Sequence, residues 1–530
     1  VFDKSACLKQ DVDITALFFL RQILVLGKKL ELGCTFNRQQ TTVRAYHDVE
    51  RSLRAPTLGW EYDRVTSSVQ SVDDNLRSIF DGSEPSADDQ YRCDSGSGRS
   101  GCDILLSALP KEALRKYHIH QRTVRDADIP ALHSVHLAQA ADRSDVWNVD
   151  LPLFKDDHIP RVHQSEDISI LDKIQSVADL IIGSFPTLDP VLLSEECESE
   201  GKGIGFKHGP GAVAERKKNW EKSKFVTWPH KLEGVFPYVF CGRNATSDLG
   251  DKLINHELAS RLIAVPKTSK GPRLIAAEPV AHQWCQQLIL RFLFEQCKKQ
   301  FTRDGFCYFI DFADQSKSGD LVLQASLDGS LATVDLSDAS DRLTCWTVER
   351  IFRRNPSIVS ALHAARTRYL RDDISQVSSF LKLKKFASQG TATTFPVMSI
   401  VMLCIALGAS LDGPVTWNAI WKLRDQVRVF GDDIIIPTRG YTRLVRAMDL
   451  LQLKVNTTKS YSTGNFRESC GVDGYLGHDV TPVKPKTLVA NSPSEVQSLI
   501  DMANNLFRKG MWQASEAVLS LIPRNVVNTL

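Results

Sequence analysis

Twelve cysteines are spread over 530 residues. No two form a C-x-x-C pair and none stands at a Cys/His zinc spacing. A zinc-built fold and a dense disulfide framework are therefore excluded, and a reduced, intracellular protein is expected. The chain also lacks an excess of either charge. Its 65 basic and 63 acidic residues leave a formal net charge of +2, so a polyanion-binding surface spread over the whole molecule is excluded and only local clusters remain. Those clusters are Arg216-Lys217-Lys218 with Lys222 and Lys224, Lys382 with Lys384-Lys385, and the stretch Lys267 to Arg273. Each, taken alone, also reads as a solvated face. A long apolar run is missing too. The longest uncharged stretch, Phe386 to Leu411, becomes apolar only at Phe395 and holds Pro396, Ser399 and Gly408. It is short for a bilayer and reads as a buried helix, so no membrane partner is expected. No secretory leader is visible, because the first apolar stretch, Ile14 to Leu20, follows Asp11 and Asp13 and is broken by Arg21. The first residue is Val1 rather than Met, which points to a truncated or processed N-terminus. Gly201 to Gly211 is glycine-rich but lacks the G-x-x-x-x-G-K-[ST] spacing of a phosphate loop, and reads as a turn-rich segment facing nucleic acid.

The length exceeds one compact core, so several subdomains are expected. Ile14 to Leu32 has helical apolar spacing through Leu17, Leu20, Ile23, Leu24 and Leu30. Residues 81–102 are rich in Asp, Ser and Gly and read as an exposed loop or linker, in which Cys93 and Cys102 could close a small disulfide but read rather as free thiols on a flexible loop. Leu331 to Val334 is a strand ending at Asp335, Ala339 to Ile351 a helix, residues 395–411 a second helix, and residues 427–436 a hairpin. After Pro482 a helical pattern returns through Val496, Leu499, Ile500 and Leu506. Strand, helix, helix and hairpin predict an α+β fold with an antiparallel sheet backed by helices.

The most informative segment is Val427-Arg428-Val429-Phe430-Gly431-Asp432-Asp433-Ile434-Ile435-Ile436-Pro437. Two β-branched arms flank a tight turn that carries adjacent aspartates. Like charges on a turn are poor design unless a cation sits there. Gly-Asp-Asp alone would arise by chance in roughly one chain of this length in ten, so the case rests on its partners. Asp335, at the exit of a buried strand, can meet the hairpin carboxylates, and such a set can hold two Mg²⁺ ions for phosphoryl transfer. Asp335 or Ser337 as a helix cap is the plainer alternative. Ser388-Gln389-Gly390-Thr391-Ala392-Thr393-Thr394-Phe395 places small and hydroxyl residues before a helix, where backbone N–H groups can approach a phosphate or sugar. A plain loop with Thr394 as cap is the alternative. Arg261 to Ile275 puts Arg261, Lys267, Lys270 and Arg273 on one hairpin with no acid between them, a pattern that suits a triphosphate or a solvated basic turn. Leu451 to Ser460 carries Lys459, a candidate acid toward leaving pyrophosphate only in this company.

In order and spacing these segments resemble the motif series of viral RNA-dependent RNA polymerases, and within that group the replicase subunit of positive-strand RNA bacteriophages, the leviviruses. The narrower match is carried by Lys207-His208-Gly209-Pro210-Gly211-Ala212, Asp335-Leu336-Ser337 with Ala339-Ser340-Asp341, Ser388-x-Gly390 with Thr394-Phe395, Phe466-Arg467-Glu468-Ser469-Cys470-Gly471 and Asp479-Val480-Thr481-Pro482. It covers roughly residues 200–485.

The resemblance implies a right-hand polymerase. Residues 1–200 would be a helical region contributing to fingers and thumb, 201–330 the fingers, 331–480 the palm and 481–530 the thumb. It implies metal ligation by Asp335 and Asp432 with Asp433 assisting, Mg²⁺ as the ion and Mn²⁺ as a substitute. Asp341 would lie near the ribose, and Ser388, Gly390 and Thr394 near nucleotide or template. Arg261, Lys267, Lys270 and Arg273 would hold the triphosphate, and Lys459 would be the general acid. Single-stranded RNA, NTPs, host elongation factors Tu and Ts and a ribosomal protein are the implied partners, in the cytoplasm of a bacterial host. Phe430 stands where Tyr is usual, Asp338 replaces a small residue, and Thr391 stands where phage replicases often have Asn. A reverse transcriptase, a catalytically silent RNA-binding relative and a two-metal phosphohydrolase remain as alternatives.

Overall fold

A computed structural model of the chain describes residues 1–2, 9, 11–30, 34–56, 60, 165–242, 253–254, 256–268, 271–376 and 378–523. The stretch 81–102, with Cys93 and Cys102, and Lys270 at the tip of the basic hairpin lie outside them. In chain order the elements that position the site begin with helix α1 (Phe36–Ser52) and strands β1 (Ser260–Thr268), β2 (Gly271–Ala277) and β3 (Leu331–Val334). Strands β4 (Tyr369–Asp372) and β5 (Ser379–Lys382), helix α2 (Thr394–Ser410), and strands β6 (Arg428–Phe430), β7 (Asp433–Pro437), β8 (Phe466–Ser469) and β9 (Val472–Tyr475) follow.

The central sheet has the order β6-β7-β3 and is antiparallel throughout. Every residue of β3 is buried, as are Ile434, Ile435 and Ile436 of β7. A β-branched run buried on both faces needs a layer on each side. One layer is α2, in which every residue but Phe395 is buried. A helix that is apolar all round belongs in a core, and α2 packs there against the helix Ser165–Gly183. The expected buried helix is thus found, and no helix among the described residues is long and apolar enough to cross a membrane. On the other side Leu331 and Ile435 pack with Leu321, Val322 and Ala325.

A second sheet, ordered β5-β4-β1-β2, carries the basic hairpin. Helix α1 covers it through Val43 and Tyr46, which share a cluster with Leu262, Leu274, Ala276, Leu370 and Leu383. The C-terminal helices Pro493–Arg508 and Trp512–Leu519 enclose a separate cluster around Leu499, Ala503 and Leu506. The α+β expectation holds.

Two elements differ from expectation. The single helix over Ala339–Ile351 is two, Ala339–Arg342 and Cys345–Ile351. The break forms because Thr344 pairs across to Lys385 as a β-bridge, and the carbonyl of Leu343 accepts the N–H of Phe386 at 2.7 Å. Thr344 then caps the second helix by accepting the N–H of Thr347 at 3.2 Å. The first helix runs over Ile14–Val25 and ends before Gly27; Leu17 is buried, whereas Ile23 and Leu24 are exposed.

Candidate active site

Asp335 follows the last residue of β3. The register pairs Val334 with Ile434, so the next positions of the two antiparallel strands, Asp335 and Asp433, face one another at the sheet's end. Phe430 pairs with Asp433, which leaves Gly431 and Asp432 as a two-residue turn. Gly431 has φ +65°, and a Cβ there would meet Phe395 Cε2 at 2.9 Å. Its N–H donates to Ser399 Oγ at 3.0 Å, which anchors the turn on α2. Phe430 lies edge-on to Phe395, with centroids 4.9 Å apart. A ring held by ring packing keeps its place without a phenolic hydroxyl, which accounts structurally for Phe430 where Tyr is usual.

The three carboxylates act on one another. Burial raises the Asp432 carboxyl above the ordinary range, Asp335 adds to the rise, and Lys459 and Lys267 oppose it. Burial, then Asp432 and Asp335, push Asp433 up to about 7, against a backbone hydrogen bond from Cys470. Asp335 is engaged by the chain that follows the strand Lys454–Val455, which itself pairs with Leu336 and Ser337. Asn456 Nδ2 donates to Asp335 Oδ2 at 2.9 Å, and Lys459 Nζ stands 3.4 Å from the same oxygen. The backbone locks the arrangement: the Asn456 N–H donates to the Asp335 carbonyl at 2.9 Å, and the Asp335 N–H donates to Ser460 Oγ at 3.2 Å. Burial draws the Lys459 ammonium down, but Asp335, Glu468 and Asp433 outweigh it, so the group titrates above the ordinary lysine range.

The basic hairpin reaches this place through Lys267, near the end of β1. Burial, Arg273 and Lys459 depress the Lys267 ammonium, while Asp432 and Asp335 support it. Lys267 therefore lies within the electrostatic reach of the carboxylates. Arg273 is exposed on β2, across from Val265. Arg261 lies at the opposite end of β1, on the order of 20 Å of strand away. It donates to the Ala214 carbonyl at 3.4 Å and pairs in register with Arg371.

The Ser388 loop is tied to β2. The Ala276 N–H donates to the Gln389 carbonyl at 2.6 Å. Gly390 has φ +104°, and a Cβ there would fall 2.3 Å from the Ala276 carbonyl oxygen. Thr394 begins α2 and its hydroxyl donates to the Ser388 carbonyl at 2.8 Å, so it braces the loop rather than capping the helix. Thr391 donates to buried Glu278 at 2.7 Å. Ser388 Oγ lies 3.0 Å from the Tyr46 hydroxyl, and Asp341 Oδ1 lies 2.9 Å from Lys385 Nζ. Asp338 is exposed in a left-handed conformation, which short polar Asp tolerates.

Sequence reasoning missed Asn456, Ser460, Glu468 and Tyr46, and it read Lys385 as part of a basic cluster or solvated face, whereas the structure buries it against Asp341. The first three sit inside segments it singled out, but only the folded register turns them toward Asp335 and Lys459. Tyr46 comes from a helix with no motif at all.

Hard carboxylate oxygens in mutual repulsion suit a hard divalent cation. Among the described residues, however, no three His, Cys, Asp or Glu side chains already stand as a metal-binding group. The donor chemistry fits a metal.

Residues 71–524 match the model of the family described as RNA replicase, beta-chain. The chain belongs to that family. The RNA-directed RNA polymerase subunit beta of Enterobacteria phage SP is 29% identical over 321 residues, covering 56% of this chain and 50% of that protein. The corresponding subunit of Escherichia virus Qbeta is 30% identical over 261 residues, covering 48% of this chain and 40% of that protein. The RNA-directed RNA polymerase beta chain of Escherichia phage MS2 is 31% identical over 230 residues, with 43% and 38% covered. The chain thus matches half or less of the length of these replicase subunits. Among solved structures, the RNA-dependent RNA polymerase of a human picorbirnavirus, in a form lacking its insertion loop, aligns with a TM-score of 0.35 at 9% identity, over 49% of this chain and 57% of that one.

Proposed function

We propose that this replicase-family chain is an RNA-directed RNA polymerase that copies a single-stranded RNA phage genome. The observation that carries the reading is the meeting of Asp335 with the Gly431-Asp432-Asp433 turn, with Lys459 at 3.4 Å and Lys267 in the same field. In this reading residues 331–480 are the palm, 201–330 the fingers and 481–530 the thumb, with residues 1–200 contributing to fingers and thumb.

The reaction joins a 3′-hydroxyl oxygen to the α-phosphorus of an NTP and breaks the bond to pyrophosphate. Asp335 and Asp432, assisted by Asp433, would hold Mg²⁺, with Mn²⁺ as substitute. Bound there, the ions supply charge neutralisation at the phosphates and a more acidic hydroxyl. Lys267 and Arg273 bind and orient the triphosphate. Lys459, kept charged by its carboxylate neighbours, holds the proton for the departing oxygen. Asp341 lies near the ribose, and Ser388, Gly390 and Thr394 near nucleotide or template. RNA phosphates would dominate template binding, which should weaken with salt. Host elongation factors Tu and Ts and a ribosomal protein, in the bacterial cytoplasm, are the partners this reading expects.

The test is labelled NTP incorporation on single-stranded RNA with Mg²⁺, with and without bacterial cell extract, comparing the wild type with Asp432→Asn. Template-dependent product from the wild type alone supports the reading. Product from both, or from neither in either condition, overturns it.

A further inference from the structure

Helix α1 precedes residues 71–524, the range the family model matches. Even so, it reaches into the proposed nucleotide site. Lys385 has a side-chain exposure of 0%. A buried ammonium is costly unless it is paired from several sides, and this one is. Its Nζ lies 2.9 Å from Asp341 Oδ1, 3.7 Å from Glu50 Oε2 and 3.6 Å from the centre of the Tyr46 ring. Glu50 also accepts the backbone N–H groups of Lys384 and Lys385, the latter at 3.2 Å. Tyr46 extends the cluster, because its hydroxyl meets Ser388 Oγ at 3.0 Å. One lysine and two residues of α1 therefore grip Asp341, proposed to lie near the ribose, and Ser388, proposed to lie near the nucleotide.

We propose that Lys385, with Tyr46 and Glu50, is a positioning group that aims Asp341 and Ser388 and thereby sets the preference for ribonucleotides over deoxyribonucleotides. The inference rests on the polymerase reading and deepens it. A purely structural cluster would be replaceable by apolar side chains of equal volume, since buried ion pairs contribute little net stability. This cluster instead ends on Asp341, which keeps 17% exposure and so stays reachable from solvent. Neutralising Lys385 would leave Glu50 and Asp341 facing each other without their shared cation, and Asp341 would turn away.

The test measures kcat and KM for NTP and for dNTP on an RNA template with Mg²⁺ and cell extract, together with melting temperature. Lys385→Met should lower the NTP-over-dNTP preference by about 10–100-fold, carried by KM for NTP more than by kcat. Tyr46→Phe, which deletes one hydroxyl, should lower it by about 3–10-fold with little change in melting temperature. In an Asp341→Asn background Lys385→Met should add no further loss. If both single variants keep the wild-type preference and lose only stability, the cluster is structural and the inference fails alone. If Lys385→Met does not fold, Tyr46→Phe decides. If the wild type makes no RNA, the polymerase reading fails and this inference with it.

Discussion

Lys459 and Asn456 converge on one carboxylate oxygen, Asp335 Oδ2, at 3.4 and 2.9 Å. The lysine thus reaches a carboxylate proposed to ligate the metal, which puts its ammonium beside the reacting phosphates in that reading. Lys459→Met should lower templated incorporation by about 100-fold while leaving RNA binding within about twofold, because a positioned acid contributes roughly that factor. Single-turnover rates beside filter binding check this. A variant as fast as the wild type would remove Lys459 from the chemistry.

Asp433 is pushed up to about 7 by burial and by Asp432 and Asp335, and metal binding to such a set must release its protons. Mg²⁺ should therefore raise the melting temperature by a few degrees at pH 8 and by less at pH 6, where Asp433 keeps its proton. The shift should shrink in Asp432→Asn. Thermal melts with and without Mg²⁺ at both pH values test this. An unchanged shift in the variant would place the ion elsewhere.

Much of this site was legible in the sequence, because its parts depend on local rules. β-branched arms around Gly431-Asp432 dictate a hairpin, and an uncharged run after Ser388 dictates a buried helix. Arg261 shows where local reading stops. It belongs to the same hairpin as Lys267, but strand length carries it to the opposite end, beside Arg371. Tyr46 and Glu50 were out of reach for a different reason: a long-range contact between α1 and the Lys385 segment leaves no periodic trace in either. Thr344 likewise reads as helical until its bridge partner Lys385, distant in sequence, is known.

Glu233 accepts the N–H of Tyr238 at 2.9 Å, and burial pushes its carboxyl up to about 7. Between about pH 4.5 and 7 the unfolded chain has released this proton while the folded chain retains it. Stability therefore falls as pH rises through that window, and the penalty persists above it. Glu233→Gln keeps the acceptor and removes the charge. It should flatten the stability profile between pH 5 and 8 and add on the order of 2 kcal/mol at pH 8. Denaturant melts across that range would refute this if both proteins share one slope.

Gly390 holds the Ser388 loop against β2. Its φ of +104° disfavours any side chain, and a Cβ would lie 2.3 Å from the Ala276 carbonyl oxygen, which is backbone and cannot rotate aside. Gly390→Ala must therefore open the contact between the Ser388 loop and β2, where the Ala276 N–H now donates to the Gln389 carbonyl at 2.6 Å. Ser388 would lose its place against Tyr46, and the start of α2 would lose the Thr394 brace. The expected cost is about 1–3 kcal/mol of stability, with at least a tenfold fall in templated incorporation, since displacement of about 1 Å at a reacting site costs on the order of 100-fold. Gly413→Ala is the matched control, because a Cβ there meets nothing within 4 Å. Equal incorporation by Gly390→Ala, Gly413→Ala and the wild type would show that the loop is not held by this approach, and would detach Ser388 from the geometry proposed for it.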